Sequence, residues 1–345
     1  MPTTPRRALA VLTATSLLAV SACAAGASDD TLVYASYGGP FQEAQASAWQ
    51  EGFTEKTDIT FENTSPSDMA QIRAMVEAGN TSWDVVDTNA YFPNQFCGTY
   101  FEKLDLSKIA TDQFEPGSVS DCAVPAERFA LLFVYNNASY PDKPPTSLAD
   151  FLNTEKYPGR RAMTREVSTG LLESMLIADG APADDLYPLD LDRAFSALDK
   201  IRDQTTFAEN NGALQQLLSD DQADMALIVS ARALTVARDD VPIEPVWGTT
   251  VTTFNSLAVP KSAPNTEAAE DFIAYATQPE QSAKFAELSG TSPANLEAKP
   301  QYDDLAQKFD AFADDGRTET VQLDAVWWSE NVDDVQARFT AWLAG

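Results

Sequence analysis

The 345-residue sequence contains no histidine. That absence excludes a Ser-His-Asp triad, a Cys-His pair, a His-ligated zinc and any imidazole general base. Basic residues are few, 23 against 52 acidic ones, and the formal net charge is −29. A nucleic-acid partner would be repelled by that field. Beyond the N-terminal leader, no stretch reaches the roughly 18 apolar residues needed to span a membrane. Low complexity and internal repeats are also missing. What remains is 44% hydrophobic and 10% aromatic, the composition of a globular protein. The length suggests about two domains.

Residues 1–22 read as an export signal. Arg6 and Arg7 form a basic start, and Ala8 to Val20 is an apolar run too short for a resident transmembrane helix. Val20-Ser21-Ala22-Cys23 then resembles a bacterial lipobox. The resemblance implies cleavage before Cys23 and lipidation of its sulfur. The alternative is an ordinary secretory signal cut at a nearby alanine. The arginine pair lacks the other residues of a twin-arginine signal. Residues 23–30 read as a short tether, so the body is expected at the cell-envelope surface, held to the membrane only through Cys23. Cys97 and Cys122 are left as a pair in a compartment that permits disulfides. A bridge would close a loop of about 25 residues and add roughly 3 kcal/mol. Two buried free thiols are the alternative.

Along the body, short β-type runs alternate with longer helical ones. Thr31–Ala35, Ile59–Phe61 and Trp83–Asp87 read as strands, separated by helices at Phe41–Thr57 and after Ser67-Asp68. This βαβαβ order implies a doubly wound parallel sheet. Phe129–Tyr135, Asp224–Val229 and Asn255–Pro260 read as further strands. Helices are expected from Thr146 or Ser147 to Leu152, and at Asp190–Asp203, Gly212–Ser219, Thr266–Thr277, Pro279–Leu288 and Val326–Leu343.

Several segments taken together resemble a known family. They are Tyr37-Gly38-Gly39-Pro40-Phe41-Gln42-Glu43-Ala44-Gln45, Gly79-Asn80-Thr81-Ser82-Trp83-Asp84-Val85-Val86, Tyr157-Pro158-Gly159-Arg160-Arg161, Asn255-Ser256-Leu257-Ala258-Val259-Pro260, Ser292-Pro293-Ala294-Asn295 and Trp327-Trp328-Ser329-Glu330-Asn331. The ordered set resembles the spermidine/putrescine-type solute-binding proteins of bacterial ABC importers. The resemblance implies an α/β, two-lobed, periplasmic-binding-protein-like clamshell with doubly wound sheets and a hinge. It implies ligand capture in the cleft and delivery to permease subunits. It implies neither cofactor nor metal, and a monomer. Crossings between lobes are expected near Asn136 to Tyr140, near Phe254 to Ser256 and after Asn295. Lobe one would be residues 31–137 plus 256–298, and lobe two 138–255 plus 299–345.

Strand ends nominate the cleft residues. Ser36, Tyr37, Gly38 and Gly39 follow the first strand, and Asn89 and Tyr91 follow the third. The glycines permit either close backbone approach to a ligand or simply a tight turn. By resemblance, Glu166 falls where polyamine binders place an acidic contact, and a second acidic position falls on Thr169. Phe254 and Asn255 lie at a crossing, and Asn255 replaces an aspartate of that family. An aromatic position falls on Val229. Arg232 follows the strand Asp224–Val229. A polyamine needs carboxylates at its ends and aromatic faces along its stem. Losing two acids and a ring, and gaining Arg232, weakens that design, because arginine suits a carboxylate or phosphate. The resemblance keeps spermidine or putrescine as the first expectation, with a small amino acid or organic anion as the alternative. A carboxylate-pair hydrolase is the competing class. However, Asp184-Asp185, Asp239-Asp240 and Asp314-Asp315 all sit in polar, turn-like contexts, and the protein is expected not to be an enzyme.

Overall fold

The computed structural model describes residues 30–313 and 315–345. The leader and its lipobox, Cys23, the tether before Asp30 and Asp314 lie outside the described residues. Among the described residues, eleven strands run in chain order: β1 (Thr31–Ala35), β2 (Thr60–Thr64), β3 (Val85–Asn89), β4 (Val124–Asn136), β5 (Arg161–Thr164), β6 (Thr205–Ala208), β7 (Met225–Val229), β8 (Ile243–Pro245), β9 (Thr249–Ala258), β10 (Ser292–Pro293) and β11 (Glu319–Gln322). They form one hydrogen-bonded sheet in the order β2-β1-β3-β9-β4-β7-β5-β6, with β8 and β10 beside β4 and β11 beside β9.

The sheet has two similar halves. β1 pairs in parallel with β2 and β3, and β5 pairs in parallel with β6 and β7. Each trio is covered by helices, as parallel strands require, and β7 is accordingly apolar along nearly its whole length. The long strands β4 and β9 join the halves. Both are longer than the apolar runs suggest. β4 begins at Val124 rather than Phe129, and β9 begins in the threonine-rich stretch Thr249–Thr253. β-branched threonine favours a strand without adding apolar contrast.

The buried clusters follow the same division. Tyr34, Trp49, Phe53, Val85, Val124, Ala126, Leu257 and Phe272 pack in one half. Leu131, Phe133, Met163, Met175, Leu227, Trp328 and Phe339 pack in the other. Along β4 the core membership changes between Ala126 and Ala130, while on β9 Leu257 packs in the first half and Val251 pairs with Leu131 of the second.

Most expected helices are present. Gly39–Gln45, a π-helical segment Ala46–Gln50 and Glu51–Thr57 run on continuously, starting two residues before Phe41 because Pro40 is tolerated in a first turn. Asp68 caps Met69–Glu77 by accepting from Ala70 N and Gln71 N at 2.7 and 3.1 Å. The helix Leu171–Ala178 gave no periodic signal because all but one of its residues are buried. Cys97 and Cys122 are joined by a disulfide with a Cα–Cα distance of 5.6 Å. No described helix is long and apolar enough to cross a membrane.

Candidate functional site: a cleft at the strand ends

A cavity of about 420 Å³ opens where the carboxyl ends of both strand trios meet the crossing strands. That is the size range of a small-molecule site, roughly 300–1,000 Å³. Tyr37, Phe41 and Asn89 line it from the first half. Glu127, Phe129 and Asn255 rise from β4 and β9. Glu166, Thr169, Asn210, Gly212, Val229 and Arg232 complete it from the second half.

Register explains the floor. Strand side chains alternate, so residues paired across neighbouring strands share a face. Tyr34 pairs with Val85, Asp87 with Leu257, and Asn89 with Asn255. This puts Tyr34, Asp87, Asn89 and Asn255 on one face. On β4 a bulge intervenes: Val124 opposes Leu257 and Pro125 opposes Ser256, yet Glu127 opposes Asn255. Without the extra residue, Ala126 would stand there. The bulge therefore aims the Glu127 carboxylate at the cavity, a common use of bulges beside sites.

The acids of this floor are buried at a cost. Asp87 is fully buried, and its Oδ2 accepts from Gln45 Nε2 at 2.6 Å and from Ser36 Oγ at 3.3 Å. Burial pushes its carboxyl up to about 7, against these two hydrogen bonds. Glu127 Oε1 accepts from Asn255 Nδ2 at 2.9 Å. Burial, reinforced by the charge of Asp87, raises the Glu127 carboxyl well above its usual range. Burial also raises Glu166, while Asn89 beside it offsets part of the effect.

The second half supplies the opposite polarity. Arg232 lies in the first turn of Ser230–Arg238, and Asn210 caps Asn211–Ser219 by accepting from Ala213 N at 2.9 Å. Both helices begin at the cavity, and helix N-termini favour negative charge. The Arg232 guanidinium donates to Gln215 Oε1 at 3.4 Å. Among the described residues, no carboxylate oxygen lies within 4.0 Å of it. Burial lowers its pKa with no acid beside it to compensate. Glu209, at the rim, is engaged by Arg165 at 3.9 Å instead.

Of the residues nominated from sequence, Tyr37, Asn89, Glu166, Thr169, Arg232 and Asn255 line this one cavity. Five do not. Ser36 is buried behind it as a donor to Asp87. The Gly38 amide donates to Gln42 Oε1 at 3.1 Å, which occupies it. Gly38 and Gly39 make a tight turn with φ of 75° and 57°, and a Cβ on Gly38 would meet Ser65 Oγ at 2.8 Å. Tyr91 is buried beside the cavity, its hydroxyl 2.9 Å from Ser168 Oγ and accepting from Asn89 Nδ2 at 3.1 Å. Phe254 pairs with Arg128 on the opposite sheet face. Sequence reasoning missed Glu127 and Phe129 because the bulge sets their direction. It missed Asn210 and Gly212 because β6 is short and polar, so its end went unmarked.

A cleft between two sheet halves, floored by crossing strands, defines a periplasmic-binding-protein-like fold. Comparison with known proteins agrees. The chain belongs to the bacterial extracellular solute-binding protein family, whose model matches residues 48–331. It is similar to the gamma-aminobutyric acid-binding protein of Pseudomonas aeruginosa, 29% identical over 94% of each chain. It is similar in structure to the Atu4243-GABA receptor, at 34% identity, with a TM-score of 0.82 over 91% of this chain and 97% of that one. It also resembles the binding protein AgtB of A. tumefaciens in complex with agropinic acid, at 26% identity and a TM-score of 0.79 over 91% of this chain and 99% of that one. The protein is a solute-binding component of an ABC transporter and not an enzyme.

Proposed function

We propose that this protein captures a small ω-amino acid of the γ-aminobutyrate type and presents it to an ABC permease. The observation that carries the reading is Arg232: a guanidinium without a carboxylate partner, lining a cavity that also holds Glu127 and Glu166. A zwitterion satisfies both. Its carboxylate would take the guanidinium and the two helix N-termini, and its ammonium would take the acids. The names of two similar proteins point to the same ligand class. A polyamine would leave Arg232 facing a like charge, so spermidine and putrescine become the second choice.

On this reading the lobes divide within β4, between Ala126 and Ala130, where core membership changes, and within β9, between Val251, which pairs with Leu131, and Leu257. This reading moves the first crossing earlier than the connector Asn136 to Tyr140 and keeps the second near Phe254 to Ser256. Tyr37, Asn89 and Asn255 line the cleft from one side, Glu166, Thr169 and Arg232 from the other. Lipidation at Cys23 would hold the monomer at the membrane.

Thermal-shift titration with γ-aminobutyrate and putrescine tests the ligand, because the two differ mainly at one end. Ligand at 100 times its Kd adds about 2.7 kcal/mol of stability. γ-Aminobutyrate is expected to stabilise and putrescine to do little. Arg232→Ala is expected to weaken γ-aminobutyrate binding by about 1.5–3 kcal/mol. Stabilisation by putrescine alone, unaffected by Arg232→Ala, would overturn the assignment.

A further inference from the structure

Behind the cavity wall, four polar atoms are buried without a hydrogen-bond partner among the described residues: Asp87 Oδ1, Glu127 Oε2, Gln45 Oε1 and Tyr34 Oη. They belong to one neighbourhood. Gln45 is bonded to Asp87, while Tyr34 and Glu127 both feel the Asp87 charge. Tyr34, Gln45, Asp87 and Glu127 are each at most 1% exposed. Buried polar atoms are rarely left unpaired, and an unpaired carboxylate oxygen is the costlier kind. Three of the four are acceptors, so the group is short of donors and of positive charge.

The surroundings supply neither. The titratable groups facing the pair are Tyr34 from β1 and Tyr37 from the loop after it, and Tyr37 in turn faces Tyr91 and Glu166; none is a cation. Asn255 from β9 is neutral. Arg128, next to Glu127, lies on the other sheet face and pairs with Glu115 at 2.9 Å. On the covering helices, Glu43, Glu51, Glu267, Asp271, Glu280, Lys284 and Glu287 are exposed on the outer side. Among the described residues, no lysine or arginine nitrogen lies within 4.0 Å of either carboxylate. Two like charges in so dry a place cannot both persist unneutralised.

We infer that the ammonium of the solute is received by Glu127, with Asp87 behind it as the second charge, and that its arrival expels a proton which this pair retains while the cleft is empty. The inference rests on the reading of the ligand as cationic at one end. The exchange balances: one proton leaves to solvent as one ammonium enters, and the pair remains at one compensated charge. The rise of both carboxyls is consistent with a retained proton. Glu127 is the member of the pair that lines the cavity. Affinity for the ammonium then rises with pH until the empty pair has lost its proton.

Isothermal titration in two buffers of different ionisation enthalpy reads this directly. The mature protein is titrated near neutral pH with γ-aminobutyrate and, separately, with n-butylammonium, which lacks the carboxylate. γ-Aminobutyrate is expected to release about one proton per molecule bound. Glu127→Gln should abolish that release and weaken binding about tenfold or more, with a cooperative melt retained. Asp87→Asn should abolish the release too, and serves if the first variant fails to fold. If γ-aminobutyrate binds without proton release, or releases it equally in both variants, the inference is wrong while the ligand assignment stands. Where only n-butylammonium binds and releases the proton, the inference stands and the amino-acid reading falls. Binding of neither overturns both.

Discussion

Two sets of buried carboxylates in this protein have different surroundings. Glu173, on Leu171–Ala178, sits in a sealed core. Its Oε1 accepts from Tyr187 Oη at 2.5 Å and from Trp328 Nε1 at 2.8 Å. Tyr187 Oη in turn accepts from Asp324 N at 3.1 Å, at the cap of the helix Ala325–Ala344. One acid thus ties the C-terminal helix to the second half. Asp87 and Glu127 are as deeply buried, but each leaves an oxygen unpaired beside a solvent-reachable cavity. Glu173 also has one unpaired oxygen, yet no cavity reaches it among those described. The difference teaches that burial alone does not mark a binding group. Donors that converge on the acid make it structural, whereas a missing donor next to an opening makes it receptive.

The largest test of that contrast is Glu173→Ala. It strands the Tyr187 hydroxyl and the Trp328 indole N–H in the core and leaves a hole. We expect a loss of about 2–5 kcal/mol in urea unfolding. Affinity per folded molecule should be retained, and a loss of affinity with normal stability would erase the distinction.

Glu127→Gln should act in the opposite sense. Both carboxyls of the cleft pair are raised in the folded state, so the native protein holds protons that the unfolded chain has released. The stability that Asp87 contributes is fully present below about pH 4, the ordinary carboxylate range, and is lost as pH rises through its folded value of about 7, and Glu127, raised in the same direction, adds to the loss. The ligand-free protein should therefore melt progressively lower across that window. Glu127→Gln should flatten the slope and add about 1–3 kcal/mol above it. A slope equal to that of the parent protein would show that the pair carries no such strain.

The smallest effect belongs to Trp328→Phe, which keeps an aromatic ring, though a smaller one, and removes one of the two donors to Glu173. A loss of about 1 kcal/mol is expected, with affinity unchanged. A larger loss in affinity than in stability would place Trp328 in the binding machinery.

Trp328 also shows what a motif can hide. Trp327-Trp328-Ser329-Glu330-Asn331 contributed to a family resemblance, but its indole serves the core around Glu173. Arg232 shows the reverse. A lone arginine among 52 acids reads most simply as a partner in a salt bridge. Only the packed structure shows that acids such as Glu209 are engaged elsewhere. Phe254 and Asn255 are adjacent in sequence and could not be separated without knowing which sheet face the cleft uses.

The sequence by itself determined the class: an acidic α/β body without histidine, with alternating strands and helices and an ordered set of family segments. Those properties are local, carried by composition and by periods of two and 3.6 residues. It also pointed to the disulfide, through the parity of Cys97 and Cys122 once Cys23 is set aside, while the folded chain brought the two together. Tertiary structure alone decided which carboxylates face the cleft. Strand direction alternates with every residue, so the single extra residue of the β4 bulge exchanges Ala126 for Glu127 opposite Asn255. No pattern along the chain records that exchange, because it exists only in the pairing of β4 with β9.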